Sequence, residues 1–436
     1  MSTLKVNKLR DTAGSADAIT LDPNGGAVLA GVTTMTTARV TSGIVTNTFI
    51  VGAGVTISES GIEASGIGIT CASINGTQIG GRRNLVINGA MNVAQRGTSS
   101  TTSGYGSVDR FEVQYSGTDE APTHSQADVA SGTTPYTEGF RKSLKITNGN
   151  QTGGAGAGDL IRINHILEAQ NVANSGWNYT SSSSFITVSF WVKSSVAQNF
   201  YGYLYTYDGS NYSYPFETGT LTADTWTKIT KTISGNSNIT IDNNNAQGLV
   251  IVIAPFFGTN YTASGVTLNA WKAWSGSERF PDNTSTWYTT NDATFEITGV
   301  QLEVGSQATP FEHRSLGEEL SLCQRYYQVI AKGSDGTSGA RAPLVSGAMW
   351  GAGEFYGVFT FKTKMRTIPS LDVTNGTDYW QVYNQTTDTC DTLAYNNASP
   401  EAISLYLSGN LNGTAQVGAW SRTNNAAAFA AAKAEL

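Results

Sequence analysis

Of the 16 Phe, 9 Trp and 19 Tyr in this chain of 436 residues, only Phe49 precedes Tyr105. Aromatic side chains supply much of the apolar area that a core removes from water. A segment so poor in them cannot enclose a core by itself. Yet residues 31–83 are rich in Val, Ile and Thr, and Gly precedes a β-branched residue at Gly31-Val32, Gly43-Ile44, Gly54-Val55, Gly61-Ile62 and Gly66-Ile67. Short strands turning at Gly, without bulky side chains, suit a thin β-structured shaft. Such a shaft can hide its Val and Ile only against copies of itself, so a homotrimer is expected. A flexible Gly/Ser/Thr linker is the plainer alternative; the density of β-branched residues argues against it. Residues 1–30 pair Leu4, Val6 and Leu9 with Ile19 and Leu21 across Asp11–Ser15, and Asp22-Pro23-Asn24-Gly25 is a turn signal. This end is too small to stand alone and is expected to dock onto another protein.

Composition limits the function classes. Charged residues are 14% of the chain and Gly numbers 48, a balance that favours strands and turns over a helical bundle or an α/β enzyme. The net charge of −7 leaves no basic footprint for nucleic acid and no attraction to an anionic membrane. No apolar run reaches the ~18 residues of a membrane span, and Met1–Arg10 lacks the apolar stretch of a secretory signal. Synthesis in a cytoplasm, without membrane insertion, is expected. Cys71, Cys323 and Cys390 are too scattered for a disulfide framework or a metal site.

From Asn84 to Arg314 the pattern changes. Ser184–Ser195, Asn199–Gly209, Gly248–Gly258 and Ala293–Gly305 read as strands bounded by turn residues, predicting a β-sandwich or jelly roll over 84–314. Ser315 with Glu318 forms a capping box opening a helix over 315–332. Leu316, Leu320, Cys323, Tyr327 and Ile330 recur at coiled-coil spacing and would hold three chains in register. The plainer alternative is an amphipathic helix packed on its own sandwich, with Cys323 a small core residue. Residues 333–436 read as a second β-rich unit, a tip domain. Its last segment, Asn424–Leu436, favours helix by propensity but is expected to close the domain as a strand.

Two segments carry a family resemblance. The segment NLVINGAMNVAQRGTSSTTSGYGSVDR (Asn84–Arg110) and ITGVQLEVGSQATPFEHRSLGEELSLCQRYYQ (Ile297–Gln328) resemble tail-fibre or receptor-binding proteins of tailed bacteriophages, particularly marine and cyanobacterial phages. The opening 31 residues are similar to the virion-proximal part of such fibres. The resemblance implies a homotrimer on the virion tail, an N-terminal anchor on other tail proteins, and distal domains that bind a glycan or outer-membrane receptor of the host. Asn84–Asn92 and Phe295–Glu303 also resemble the first and last strands of jelly-roll carbohydrate-binding modules. That likeness implies a structural calcium held by aspartates; Thr298 and Gly299 stand at those positions and offer no carboxylate, so no metal or other cofactor is expected.

The residues show no catalytic constellation. His124, His165 and His313 lack ligand spacing, and there is no G-x-S-x-G elbow or P-loop. Glu296 and Glu303 fall on one predicted strand at an odd offset, which predicts opposite faces. Asp208, Asp224, Asp282 and Asp292 sit in turn contexts. The chain therefore reads as a binding protein and not an enzyme. A polysaccharide depolymerase and a structural whisker or adaptor without receptor contact are the alternatives. Sugar binding needs only aromatic faces flanked by hydrogen-bonding groups. Tyr201, Tyr203, Tyr205 and Tyr207 alternate along one strand, so they share a face, with Phe200 and Leu204 turned to the core. Trp271, Trp274 and Trp287 near loops are further candidates, as are Trp380, Tyr383, Tyr395 and Trp420 in the tip. For each, ordinary core or interface packing is the competing reading.

Overall fold

The structure is a computed structural model that describes residues 83–436 throughout and, before them, the strand segments 8–10, 17–21, 27–29, 48–50, 55–58, 61–64, 73–74 and 77–78. The chain divides into two units, Met1–Cys71 and Ala72–Leu436. In the first, Lys8–Arg10, Asp17–Leu21 and Ala27–Leu29 pair antiparallel in that order, as the expected hairpin over 9–21 requires. Thr48–Ile50, Val55–Ser58 and Gly61–Ala64 form a second small antiparallel sheet. Leu4, Val6, the turn at 22–25 and most of the expected shaft lie outside the described residues.

The second unit opens with the short antiparallel pair Ser73–Ile74 and Thr77–Gln78 and then contains a β-sandwich. One six-stranded sheet runs, edge to edge, Phe111–Ser116, Leu160–Glu168, Gln247–Phe257, Asn199–Thr206, Tyr212–Thr220 and Lys272–Ala273. The other runs Thr227–Ser234, Phe185–Ser194, Thr294–Val304, Lys142–Thr147, Thr123–Asp128 and Ser99–Ser100. Inward residues of both, among them Phe111, Ile163, Phe190, Phe200, Leu204, Ile251 and Phe295, make one buried core. The expected first strand over Asn84–Asn92 is not a strand. That segment is irregular but buried, touching the last strand through Leu85 N–H to Leu302 C=O (2.9 Å) and Val300 N–H to Gly89 C=O (2.9 Å). Asn88 and Met91 with φ of 62° and 59° break its extended path.

Thr294–Val304 changes side at its middle. Phe295 and Ile297 face the core, and so do Val300 and Leu302. Gly299, at φ +62°, lies at this switch, opposite the irregular pairing of Ser189–Trp191. A bulge inserts one residue and reverses the alternation beyond it. A Cβ at 299 would stand 2.6 Å from Phe140 Cζ in a backbone conformation that L-residues avoid. Gly299→Ala is expected to destabilise by about 2–4 kcal/mol, read as a lower denaturation midpoint; an unchanged midpoint would refute the bulge.

The expected helix over 315–332 is shorter. The capping box is present, with Ser315 Oγ accepting from Glu318 N–H and the Glu318 carboxylate accepting from Ser315 N–H (3.0 Å), but the helix spans only Leu316–Gln324. Tyr327–Lys332 is a strand. Tyr327 and Ile330 therefore cannot continue a two-heptad seam, Leu316 is exposed, and Leu320 and Cys323 pack with Ile87, Val93 and Tyr326. This is the helix packed on its own sandwich. The reason lies past Gln324: Arg366 N–H donates to Arg325 C=O (2.7 Å) and Ala434 N–H to Tyr326 C=O (2.8 Å). The chain is captured by neighbouring strands, and Tyr326, Tyr327 and Val329 favour that extended state.

Arg325 then spans back to the sandwich, its guanidinium on both oxygens of the buried Glu168 (2.6 and 2.8 Å), and Tyr326 donates to the same carboxylate (2.5 Å). Burial pushes Glu168 up, but these bonds outweigh it and hold the carboxyl below its ordinary value near 4.5. A depressed acid adds stability that is present above the ordinary carboxylate range and is lost as pH falls through the lowered folded value. Glu168→Gln is thus expected to cost stability at pH 7, with the gap to wild type closing below about pH 4. A gap constant from pH 7 to 3 would contradict this.

Beyond the helix, Tyr327–Lys332, Phe429–Lys433 and Ser370–Thr374 form a three-stranded sheet. The C-terminal alanines are therefore in a strand, Phe429–Lys433, where Ala430, Ala431 and Ala432 are fully buried. A seven-stranded antiparallel sheet runs Thr386–Cys390, Trp380–Asn384, Gly418–Thr423, Pro343–Gly351, Glu354–Thr360, Ala402–Ser408 and Thr392–Ala398. These sheets share a second core that includes Met349, Phe355, Trp380, Cys390 and Leu405.

Candidate functional site: an aromatic groove on the sandwich

The first sandwich sheet carries aromatic and apolar side chains on its outer face beside polar ones. The strand Asn199–Thr206 turns Phe200 and Leu204 to the core and Tyr201, Tyr203 and Tyr205 outward, with Tyr207 just beyond its end on the same side. Tyr203 lies opposite Val252, and Tyr205 opposite Val250. Beyond these, Asn164 and Ile166 continue the two rows, and Glu112 ends the first.

The segment after Phe257 folds over part of this face. Phe280 stacks on Tyr201 with ring centroids 4.9 Å apart and planes at 8°. Trp274 lies against Tyr205 (4.2 Å) and Tyr203 (5.5 Å). Between this overhang and the Glu112–Arg162 side is a groove of about 330 Å³. Its lining includes Tyr203, Tyr205, Tyr207 and Trp274 with Gln114, Arg162, Asn164, Gln247 and Arg279. Tyr203, only 1% exposed, is the floor, while Tyr207, 49% exposed, is a free ring at the mouth. Asn211 Nδ2 donates to the Tyr205 hydroxyl (2.5 Å), which fixes that ring. Burial raises the Tyr205 phenol, so it stays protonated and able to donate.

The other candidates are dispersed. Tyr201 lines a neighbouring recess with Gln198 and Asp282. Trp271 packs edge-on against Tyr214 (5.4 Å), donates to Ser234 C=O (2.7 Å) and lines a separate recess. Trp287 is fully buried in the sandwich core and donates to Thr294 C=O (3.0 Å). Trp380 is fully buried in the second core, donating to Asn375 (2.7 Å). Neither Trp287 nor Trp380 can reach a ligand. Trp420 is exposed beside Tyr383 on the seven-stranded sheet, ring centroids 5.7 Å apart, and Tyr395 is exposed on that sheet's edge strand.

The bulge at Gly299 also corrects the carboxylate geometry. Glu296 lies opposite Lys193 and Glu303 opposite Thr187, positions on the same face of a regular strand, so the two glutamates share a face. They remain seven residues, roughly 20 Å, apart along the strand. Each is held by its own partners: Lys193 (3.0 Å) and Ser143 (2.9 Å) on Glu296, Gln301 (2.8 Å) and Thr309 (2.6 Å) on Glu303. Asp224 and Asp292 have φ of 55° and 57°, as turn residues do.

Glu112, Gln114, Arg162, Asn164 and Arg279 were not singled out from sequence. Their signal was present in part: Glu112 and Gln114 alternate with Phe111 and Val113, and Arg162 and Asn164 with Ile161 and Ile163. What no single strand could reveal is that Leu160–Glu168 lies two strands from Asn199–Thr206.

No family model matches the chain, and no curated protein does. Solved structures similar to it include the enzymatically active domain of bacteriophage CBA120 tailspike protein 4, at 10% identity over 51% of this chain and 21% of that one, with a TM-score of 0.27. A family 11 carbohydrate-binding module from Clostridium thermocellum, in complex with a mixed-linked tetrasaccharide, is 10% identical over 49% of this chain and 98% of that one, with a TM-score of 0.23. A xylan-binding domain from Paenibacillus barcinonensis is 10% identical over 48% of this chain and 94% of that one, with a TM-score of 0.22. The chain spans about a fifth of the tailspike domain's length.

Proposed function

We propose that this protein is a receptor-binding fibre of a phage virion, trimeric through its N-terminal part, and that it holds a bacterial surface glycan in the sandwich groove. The observation that supports the reading is the groove itself, where the exposed ring of Tyr207 and the half-buried rings of Tyr205 and Trp274 stand beside the amides of Gln114, Asn164 and Gln247. A pyranose offers an apolar C–H face and a rim of hydroxyls. Flat rings with neighbouring amides match both. Three chains per fibre would turn a modest single-site affinity into firm attachment.

The proposal is binding without cleavage. Glycoside hydrolysis normally takes a pair of carboxylates, and Glu112 is the one carboxylate side chain lining this groove, its two oxygens occupied by Gln114 and Asn164. The test is to add purified full-length protein to bacterial envelope polysaccharide. Saturable binding with no released fragments is expected. Fragments would make it a depolymerase, and absence of binding to any envelope preparation would remove the receptor role. Light scattering is expected to give three times the 46.1 kDa chain mass; the mass of a lone chain would contradict the fibre.

A further inference from the structure

We propose that the groove selects glycans bearing an anionic substituent, a carboxylate or a sulfate on the sugar, which Arg162 and Arg279 grip together. This rests on the groove being the sugar site. Arg162 leaves its strand on the outer face and Arg279 comes from the overhang, so two cations from separate elements line one cleft. None of the ion pairs among the described residues involves either of them. Arg162 directs Nε (2.8 Å) and Nη2 at the same amide oxygen of Gln114, and Nη1 at the Tyr203 hydroxyl (3.4 Å). Neutral oxygens thus stand where a guanidinium prefers a carboxylate.

Arg279 is the more telling of the two. Its guanidinium lies 4.6 Å from the Tyr261 ring centroid, 4.9 Å from Phe257 and 5.5 Å from Trp274. Stacking on rings is a setting that suits the planar, weakly hydrated guanidinium. Nε donates to Gly276 C=O (3.1 Å), but the buried Nη1 has no hydrogen-bond partner. A buried donor without an acceptor is costly, so this guanidinium keeps hydrogen-bonding capacity that its own chain does not use. Burial pushes the Arg279 pKa down; Tyr203 opposes that, and the nearby Arg162 charge adds to it. The lining side chains carry two positive charges against the single negative charge of Glu112, in a chain of net charge −7. An anion arriving there relieves repulsion between the two guanidinium groups.

The test compares three probes on the full chain: a polygalacturonate fragment, a sulfated galactan fragment and a neutral mixed-linkage glucan of matched length. At least about tenfold tighter binding of one anionic probe than of the neutral one is expected, weakening as salt is raised from 50 to 500 mM by the screening expected of a charge contact. The two anionic arms tell carboxylate from sulfate. Arg279→Gln should lower the affinity for the anionic probe at least about tenfold relative to that for the neutral glucan measured on the same variant, removing the preference. Arg162→Gln, on the strand Leu160–Glu168 and not on the overhang, does the same should Arg279→Gln misfold. Equal affinity for anionic and neutral probes, or an anionic preference that survives both substitutions, overturns anion selection while leaving the groove as a sugar site. Binding that is indifferent to Trp274→Ala overturns the groove itself, and with it this inference, as does failure to bind any probe.

Discussion

Arg110→Ala is expected to cost about 3–5 kcal/mol of stability, the usual result of breaking a buried charged pair from one side. Arg110 is 1% exposed. It pairs with Glu435, donates to Ile166 C=O (2.6 Å) and lies 3.5 Å over the Tyr326 ring. One side chain thus joins the sandwich, the chain after the helix and the residues that follow the final strand. Burial works against its charge, but Glu435 outweighs that and raises its pKa. Arg96 also reaches Glu435 (3.0 Å) and lies 3.5 Å over Tyr327, so Glu435 would keep one partner in the variant. Urea denaturation of wild type, Arg110→Ala, Glu435→Ala and the double variant would separate the pair from the packing. The double variant should lose less than the sum of the two singles. Additive losses would mean that the two residues act independently.

Trp274→Ala is expected to weaken sugar binding roughly 30-fold, as for a central aromatic anchor, with little change in thermal stability. Its ring is a wall of the groove: it meets Tyr205 at 4.2 Å and carries Arg279 on its other contacts. Removing it opens the groove to water and loosens the guanidinium. The ring is only partly buried and sits in a connecting segment, so the two cores are untouched. Titration calorimetry with a binding envelope fragment gives the ratio directly, and an unaltered Kd would exclude this wall from the site.

The period-two pattern explains what could be read in advance. Asn199–Thr206 alternates Phe200 and Leu204 with tyrosines, and that alone places the tyrosines on one outer face. Thr294–Val304 looks equally regular in sequence, but Gly299 shifts its phase and so reverses the relation of Glu296 to Glu303. Local spacing also misleads where two structures share it. The steps from Leu316 to Ile330 fit a continuous helix as well as a helix that ends at Gln324 and becomes a strand. Only the long-range bonds from Arg366 and Ala434 decide between them. Trp287 was placed near a loop, and it is near one, but its four-residue helix Thr286–Thr289 turns both Trp287 and Tyr288 inward, Tyr288 stacking on Phe256 at 4.0 Å. Whether an aromatic beside a turn faces water depends on which distant strand lies across from it. The same limit hid Arg279, whose neighbours Phe257, Tyr261 and Trp274 are brought together by the overhang.

The most direct measurement of where sugar binds is photo-crosslinking. A diazirine-bearing fragment of an envelope polysaccharide that binds the full chain is irradiated, and labelled peptides are mapped by mass spectrometry. Labels are predicted on the strand Asn199–Thr206, on Tyr207 and on the segment 272–279. Labels confined to the seven-stranded sheet around Tyr383 and Trp420 would contradict the groove and move the binding face to the C-terminal domain.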